Sequence, residues 1–320
     1  MEGQVHHVEG YPTNTILRED DHQARQSTYL EVKGVDFAFN DYGHGTREQK
    51  QKYGITNKLF RYFNKRRFLF HRFDEGIALD EESWYSVIPE SVSHYLSQRF
   101  KQCKVNKIFE PFCGVGGIAI HLCDQFGEFV VNDLDTAKIK MLKHNLRVYG
   151  KGIRKDNILN RDFLEVEPFR TDALIICPPW GGIDTMAYST GDLDELMFPK
   201  LSDILVHARK FSENIMLQLP KQTNMLNLLK VVHQVGLKPV MSVEKIMTNG
   251  KCSQLFFYFG SEAFTGVNTL QLHTALYRDL GVTLKPQKKR AKEMLSARGK
   301  ELMGEVYKVR CPHKITYFTD

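Results

Sequence analysis

The residues best suited to chemistry lie in two short stretches. CPPWGG, residues 177–182, follows the apolar run ALII directly. Pro178 and Pro179 cannot donate to a sheet ladder and hold the backbone extended, so they end the strand and present Trp180 from a stiff support. Gly181 and Gly182 beside the indole remove side chains and permit φ values closed to other residues, which suits close approach of a flat ligand. EPFCGVGG, residues 110–117, places an acid before a glycine turn. Its Gly114, Gly116 and Gly117 lack the GxGxxG spacing of the dinucleotide fingerprint. Asp133 ends the next apolar run, where a carboxylate can accept from both hydroxyls of a ribose, and Asp162 in RDF could border a base. Taken singly, these acids are equally readable as a helix-dipole partner (Glu110), helix caps (Asp133, Asp135) and a turn former (Asp162).

Such groups need a scaffold that brings loop ends together, and the chain supplies one. From Val105 onward, apolar runs alternate with helical patterns: KIFEPF, IAIHLCDQF, EFVVNDLD, TAKIKMLKHNLRVYG, NILNRDFLEV, ALIICPPWGG, PKLSDILVHARKF, NIMLQLP, MLNLLKVVHQVG, MSVEKIM and SQLFFYFG. Alternation of this kind predicts an α/β fold with a doubly wound, mainly parallel sheet, whose ligands sit beyond the carboxyl ends of the strands.

The 320 residues divide by composition into four segments. Residues 1–50 read as a poorly ordered N-terminal arm, 51–100 as an aromatic and basic helical extension, 101–260 as the α/β domain, and 261–320 as a basic C-terminal extension. In the second segment Phe60, Phe63, Arg67 and Phe70 fall at helical intervals, and SVSHYLSQRF after Pro89 predicts a helix opening at its first turn. The run PQKKRAKEMLSARGK reads first as a solvated helix face, with nuclear import or RNA contact as the alternative. A net charge of +6 permits an anionic partner without requiring one. The six cysteines include no CxxC pair, so no structural zinc is expected and no metal is assigned. The first thirty residues lack a signal-type apolar core, and no run reaches transmembrane length.

An acid before a GxGG turn, with a second acid ending the next strand, resembles the pattern of S-adenosylmethionine-dependent methyltransferases, and PPW after the fourth strand is similar to those acting on amino groups. An amine conjugated to a base is a poor nucleophile, so alignment of nitrogen, methyl and sulfur matters most, and positioning can supply roughly 7 to 11 kcal/mol. PPWGG together with FCGVGG, RFDEGIALDEESWYSVIPE and YFNKRRFLF resembles the trimethylguanosine synthase family, over about residues 59–260. That resemblance implies a Rossmann-like class I methyltransferase core completed by an N-terminal helical extension. It implies conversion of the 7-methylguanosine cap of small nuclear and nucleolar RNAs to the 2,2,7-trimethyl form by methylation at guanine N2, without a metal.

The same resemblance implies roles for individual residues. Trp180, Pro178, Cys177 and Ser86 would form the catalytic set. Glu110, Gly114, Gly116, Asp133, Asp162, Phe70, Pro89 and Cys177 would hold S-adenosylmethionine. Trp180, Arg61, Lys221, Asn145 and Thr185 would hold the capped RNA, with Trp180 stacking on the cationic base for a cation–π gain of ~2 kcal/mol in a desolvated site. It further implies a nuclear or nucleolar protein, also cytoplasmic, acting as a monomer on snRNA and snoRNA, with RNP proteins as further partners and no membrane. The chain departs from the family pattern at Cys177 (usually Ser), Glu110 (Asp), Ile88 (Thr), Thr185 (Tyr), and in exchanging Arg61 and Lys221 for Lys and Arg. These departures leave two alternatives: a catalytically inactive cap-binding or scaffold paralogue, and a methyltransferase acting on adenine N6, internal guanine N2 or a glutamine amide.

Overall fold

The computed structural model describes residues 45–181, 186–237, 241–249 and 251–266, with further strand residues at 16–17, 28–29, 32–37, 281–282 and 308–309. Its centre is an eight-stranded sheet: β1 (Val32–Phe37), β2 (Lys107–Glu110), β3 (Glu128–Asn132), β4 (Ile158–Leu159), β5 (Ala173–Ile176), β6 (Ile215–Pro220), β7 (Met241–Thr248) and β8 (Lys251–Phe259). The spatial order is β1-β7-β8-β6-β5-β2-β3-β4. Only β8 runs against its neighbours; every other pairing is parallel. From β2 the chain winds outward through β3 and β4, then crosses to β5 on the other side of β2. That reversal is the topological switch point, where the loops after β2 and β5 part and leave a crevice.

The central strands are buried on both faces, so they read as continuous apolar runs, and their side chains still alternate between two cores. Phe109, Leu174, Ile176, Leu217 and Leu219 face one core, built with helices α8 (Leu193–Leu196), α9 (Leu201–Ala208) and α10 (Met225–Gln234). Ile108, Ala173, Ile175 and Met216 face the other. That second core is completed by α5 (Glu90–Gln102), α6 (Ala119–Leu122), α7 (Thr136–Val148) and the aromatic extension.

Within the extension, α1 (Arg47–Lys52) opens on a capping box from Thr46 to Gln49. The helical spacing expected over residues 60–70 resolves into two single turns, α2 (Phe60–Phe63) and α3 (Arg66–Leu69), followed by α4 (Ser83–Ser86). Phe63, Phe73 and Trp84 meet with ring centroids 5.4 to 6.3 Å apart, so the extension has its own aromatic knot resting on the sheet. Two local expectations are corrected. The helix expected from IAIHLCDQF shortens to four residues: the Gln125 N–H bonds back to Leu122 at tighter spacing, and the chain then turns at Gly127 against Asn106. Residues 32–37, inside the segment read as an arm, form the edge strand β1 beside β7. The basic run around residues 285–292 lies outside the described residues.

Candidate active site

A cavity of about 430 Å³ opens at the switch point, between the loops that follow β2, β3, β4 and β5 and the extension. That is within the range of small-molecule sites. It brings together Ser86, Glu110, Gly114, Asp133, Asp162, Cys177, Pro178 and Trp180 from the expected set. Seven of these come from strand ends or the loops just after them, and Ser86 ends α4.

The two acids at the strand ends behave differently. The Asp133 carboxylate accepts from the Gly114 N–H at 2.8 Å and the Asp135 N–H at 2.9 Å, so it holds the glycine turn in place and keeps lone pairs toward the cavity. Capping of α7 falls to Asp135, which accepts from the Ala137 N–H at 2.7 Å. Glu110 is only 2% exposed, and its Oε2 has no hydrogen-bond partner among the described residues. Burial first, and the neighbouring Asp133 charge second, push its carboxyl well above the usual range. Burial also raises Asp133, against the two N–H bonds that favour its charge. An orphaned carboxyl oxygen in a cavity wall fits a cationic ligand group, and the Gly114 turn, at φ +52° with open space where a Cβ would stand, fits close approach beside it.

From the loop after β5, Pro178 is buried, and Trp180 is half-buried against the core beneath it. Its carbonyl accepts from the buried Tyr188 hydroxyl at 3.1 Å, which pins the platform from behind. Gly181 has φ +80° and nothing within 4 Å of an added Cβ, so its backbone conformation is what demands glycine. Cys177 stands between platform and acid, and burial followed by Glu110 pushes its thiol well up, keeping it a neutral, weak hydrogen-bonding group. Asp162 accepts from the Leu164 N–H at 2.9 Å while lining the cavity, so it is both turn former and wall.

Several expected residues stand elsewhere. Gly116 does not line the cavity: a Cβ there would come within 2.4 Å of Leu142, so this glycine permits close packing on α7. Asn145 is completely buried and outside the cavity. It donates to the Ala78 and Val115 carbonyls at 3.0 Å each and accepts from the Ala78 N–H at 2.8 Å, clamping the extension to the glycine turn rather than meeting a substrate. Phe70 is fully buried beside Tyr149, and Pro89 is the residue preceding α5; neither lines the cavity. Arg61 lies on the surface, its guanidinium 4.8 Å from the Tyr62 ring, which in turn meets the cavity-lining Tyr85 at 6.0 Å. Lys221 is exposed just past β6, whose Gln218 lines the cavity. Thr185 lies outside the described residues.

The structure adds residues that the sequence did not reveal. Lys138, from the first turn of α7, pairs with Glu82 at 2.6 Å and Asp80 at 3.7 Å, tying the extension across the cavity rim. Leu134 and Phe198, 69% and 91% exposed, present large apolar groups to the same space. Position directly after Asp133 was a usable signal for Leu134. Phe198 and Lys138 carried none, because only the fold brings α7 and the loop before α9 to this crevice.

A seven-strand run in the order β4-β3-β2-β5-β6-β8-β7 with one antiparallel strand, a ribose-competent acid after β3 and an aromatic platform after β5 define a class I methyltransferase. A family model described as RNA cap guanine-N2 methyltransferase matches residues 105–262. Trimethylguanosine synthase of Schizosaccharomyces pombe is 32% identical over 186 residues, covering 54% of this chain and 75% of that protein. Trimethylguanosine synthase of Saccharomyces cerevisiae is 27% identical over 218 residues, covering 64% and 68%. Among solved structures, magnesium protoporphyrin IX methyltransferase from Synechocystis PCC 6803 aligns with a TM-score of 0.42 at 13% identity, over 69% of this chain and 94% of that one. The chain belongs to the RNA cap guanine-N2 methyltransferase family, and its methyl donor is S-adenosylmethionine.

Proposed function

We infer that the protein methylates guanine N2 of a 7-methylguanosine cap to give the 2,2,7-trimethyl form, on small nuclear and nucleolar RNAs in the nucleus. The observation that carries this reading is Trp180, half-exposed and braced by Tyr188, lining one cavity with Glu110 and Asp133. In this reading Asp133 accepts from the ribose of S-adenosylmethionine, Glu110 faces its cationic end, and Leu134 with Asp162 borders the adenine. When bound, that group supplies a methyl already activated on a sulfonium. The task left to the chain is alignment and exclusion of water. Trp180 holds the base plane, and main-chain carbonyls at Pro178 and its neighbours orient the exocyclic amine. The neutral Cys177 thiol takes no proton, so the amine proton leaves to solvent. Arg61 and Lys221, exposed outside the cavity, would meet the cap triphosphate beyond its mouth.

The 101–260 segment acts with the 51–100 extension as one unit, because Ser86, Val87 and Ile88 form part of the cavity wall. The test is to incubate the protein with S-adenosylmethionine and with 7-methylated or unmethylated cap dinucleotides, and to read product mass. Methyl gain on the 7-methylated dinucleotide alone is expected. Cap binding without methyl gain would assign the protein to the non-catalytic cap-binding class, and gain on both dinucleotides would overturn the platform's selective role.

A further inference from the structure

Outside the cavity, Glu90, His94 and His121 place one ligand atom each within 4.8 Å of one another. Glu90 and His94 lie four residues apart on the first turns of α5, hence on one face, and His121 projects from α6. His94 Nε2 is 3.5 Å from Glu90 Oε1, His121 Nε2 is 4.0 Å from Glu90 Oε2, and the two imidazole centroids are 4.7 Å apart. The Glu90 carboxylate is held in orientation by the His71 N–H at 2.8 Å and the Tyr149 hydroxyl at 2.8 Å, and His71 Nδ1 stands 2.5 Å from its Oε1.

His121 supplies the independent observation. Its side chain is 2% exposed, and Nε2 has no hydrogen-bond partner among the described residues although it points into this group. A buried imidazole nitrogen without a partner is costly, and here it faces a carboxylate and a second imidazole. Tetrahedral zinc, with bonds near 2.0 to 2.1 Å, needs ligand atoms about 3.3 Å apart. The His94–Glu90 spacing already approaches that, His94, 57% exposed, can turn inward toward His121, and the 4.0 Å between His121 and Glu90 tightens on binding. Two imidazoles with one carboxylate suit zinc and its transition-metal neighbours rather than magnesium or calcium.

We propose that Glu90, His94 and His121 form a zinc site, with water as fourth ligand, that fastens the extension and α5 to α6. The location gives such an ion a consequence for the active site. Helix α6 starts directly after the glycine turn, and Ser93, one residue before His94, donates to the Gly117 carbonyl at 3.0 Å. Gly117 has no room for a Cβ, which would stand 2.5 Å from Val87. An ion joining α5 to α6 therefore stiffens the contact that shapes the cavity floor.

The test uses the full chain, stripped with a chelator and titrated with Zn²⁺ alone by calorimetry, with Co²⁺ substitution read by visible absorption. Wild type is expected to bind one equivalent, to show the intense bands of four-coordinate Co²⁺ and to gain melting temperature with zinc. His94→Ala, at an exposed position, is expected to fold and to weaken the metal by at least about tenfold, with loss of the bands and the thermal gain. His121→Gln should do the same if it folds; if it does not, His94→Ala decides. No binding to wild type, or binding unchanged in folded His94→Ala, overturns the proposal.

Discussion

If Glu110 meets the cationic end of S-adenosylmethionine as proposed, its unpartnered carboxyl makes cofactor binding depend on pH. In the free protein burial and Asp133 raise its pKa well above the usual range, and burial raises Asp133 against its two N–H donors, so Glu110 is the group that more readily holds a proton. A cationic ligand end prefers the ionised form, so binding below the raised pKa must expel a proton. Affinity then falls by up to about tenfold per pH unit, equivalent to 1.36 kcal/mol, and levels off above that pKa. Across roughly pH 5.5 to 7 an amino-acid ammonium stays protonated, so the ligand's own α-amino titration adds little to the slope. Glu110→Gln keeps the shape and removes the titration. Calorimetric affinities for S-adenosylmethionine should strengthen with rising pH in wild type and stay flat in the variant. S-adenosylhomocysteine, lacking the sulfonium charge, separates the two possible cationic contacts.

The same group sets a stability signature in the free protein. A carboxyl raised on folding contributes fully below the unfolded value of about 4.3, and this contribution is lost as pH rises through the folded pKa. The melting temperature of wild type should therefore fall relative to Glu110→Gln from acid toward neutral pH, and cofactor should close the gap. Parallel pH profiles for the two proteins, in both affinity and melting temperature, would refute the assignment of the proton and of the cationic contact together.

Three further outcomes are expected. Asp133→Ala should weaken the cofactor by more than the ribose bonds alone, at about 1.5 to 3 kcal/mol for each charge-assisted bond, because it also frees the Gly114 N–H; an unaltered dissociation constant in a folded variant would remove the ribose role. Asn145→Ala should lower stability by about 2 to 4 kcal/mol in denaturant titration, since three hydrogen bonds at a fully buried site are lost, with cap affinity falling only through the loosened extension. The series Trp180, Phe, Ala should lower 7-methylated cap affinity stepwise, with stacking worth about 1 to 3 kcal/mol and the cation–π part ~2 kcal/mol more for the charged base; constant discrimination between 7-methylated and unmethylated caps in a well-folded Ala variant would make Trp180 a core plug.

Much of the fold was legible because the central strands are uninterrupted apolar runs and the helices between them carry clear stops. The alternation of ALII and NIMLQLP with helical patterns led directly to a doubly wound, mainly parallel sheet, and the glycine turn and PPW marked its carboxyl edge; the strand order itself came only from the fold. What failed to show was tertiary. Gly116 looks like a cofactor glycine in the sequence, yet it is needed because Leu142 presses on it. Asn145 looks like a polar site residue, and its bonds are all spent on backbone. Single turns such as α2 and α3 share the spacing of one longer helix, so residue periodicity alone cannot separate them.

The misplaced residues have a common cause, and it bears on how the site works. Asn145 and Phe70 both stand where the extension meets the α/β domain, one step behind the cavity wall. A polar residue or a glycine that must be present for packing leaves the same mark in a sequence as one that touches ligand. Only distance to the cavity separates the two. Val87 and Ile88 lie directly against Gly117, and Lys138 of α7 reaches back to Glu82, so the extension is packed onto the glycine turn and tied to α7. The wall facing Trp180 is therefore set by packing across that seam as much as by the residues that line it. A substitution at the seam should alter cofactor and cap affinity in parallel, whereas one at Trp180 or Asp133 should alter them separately.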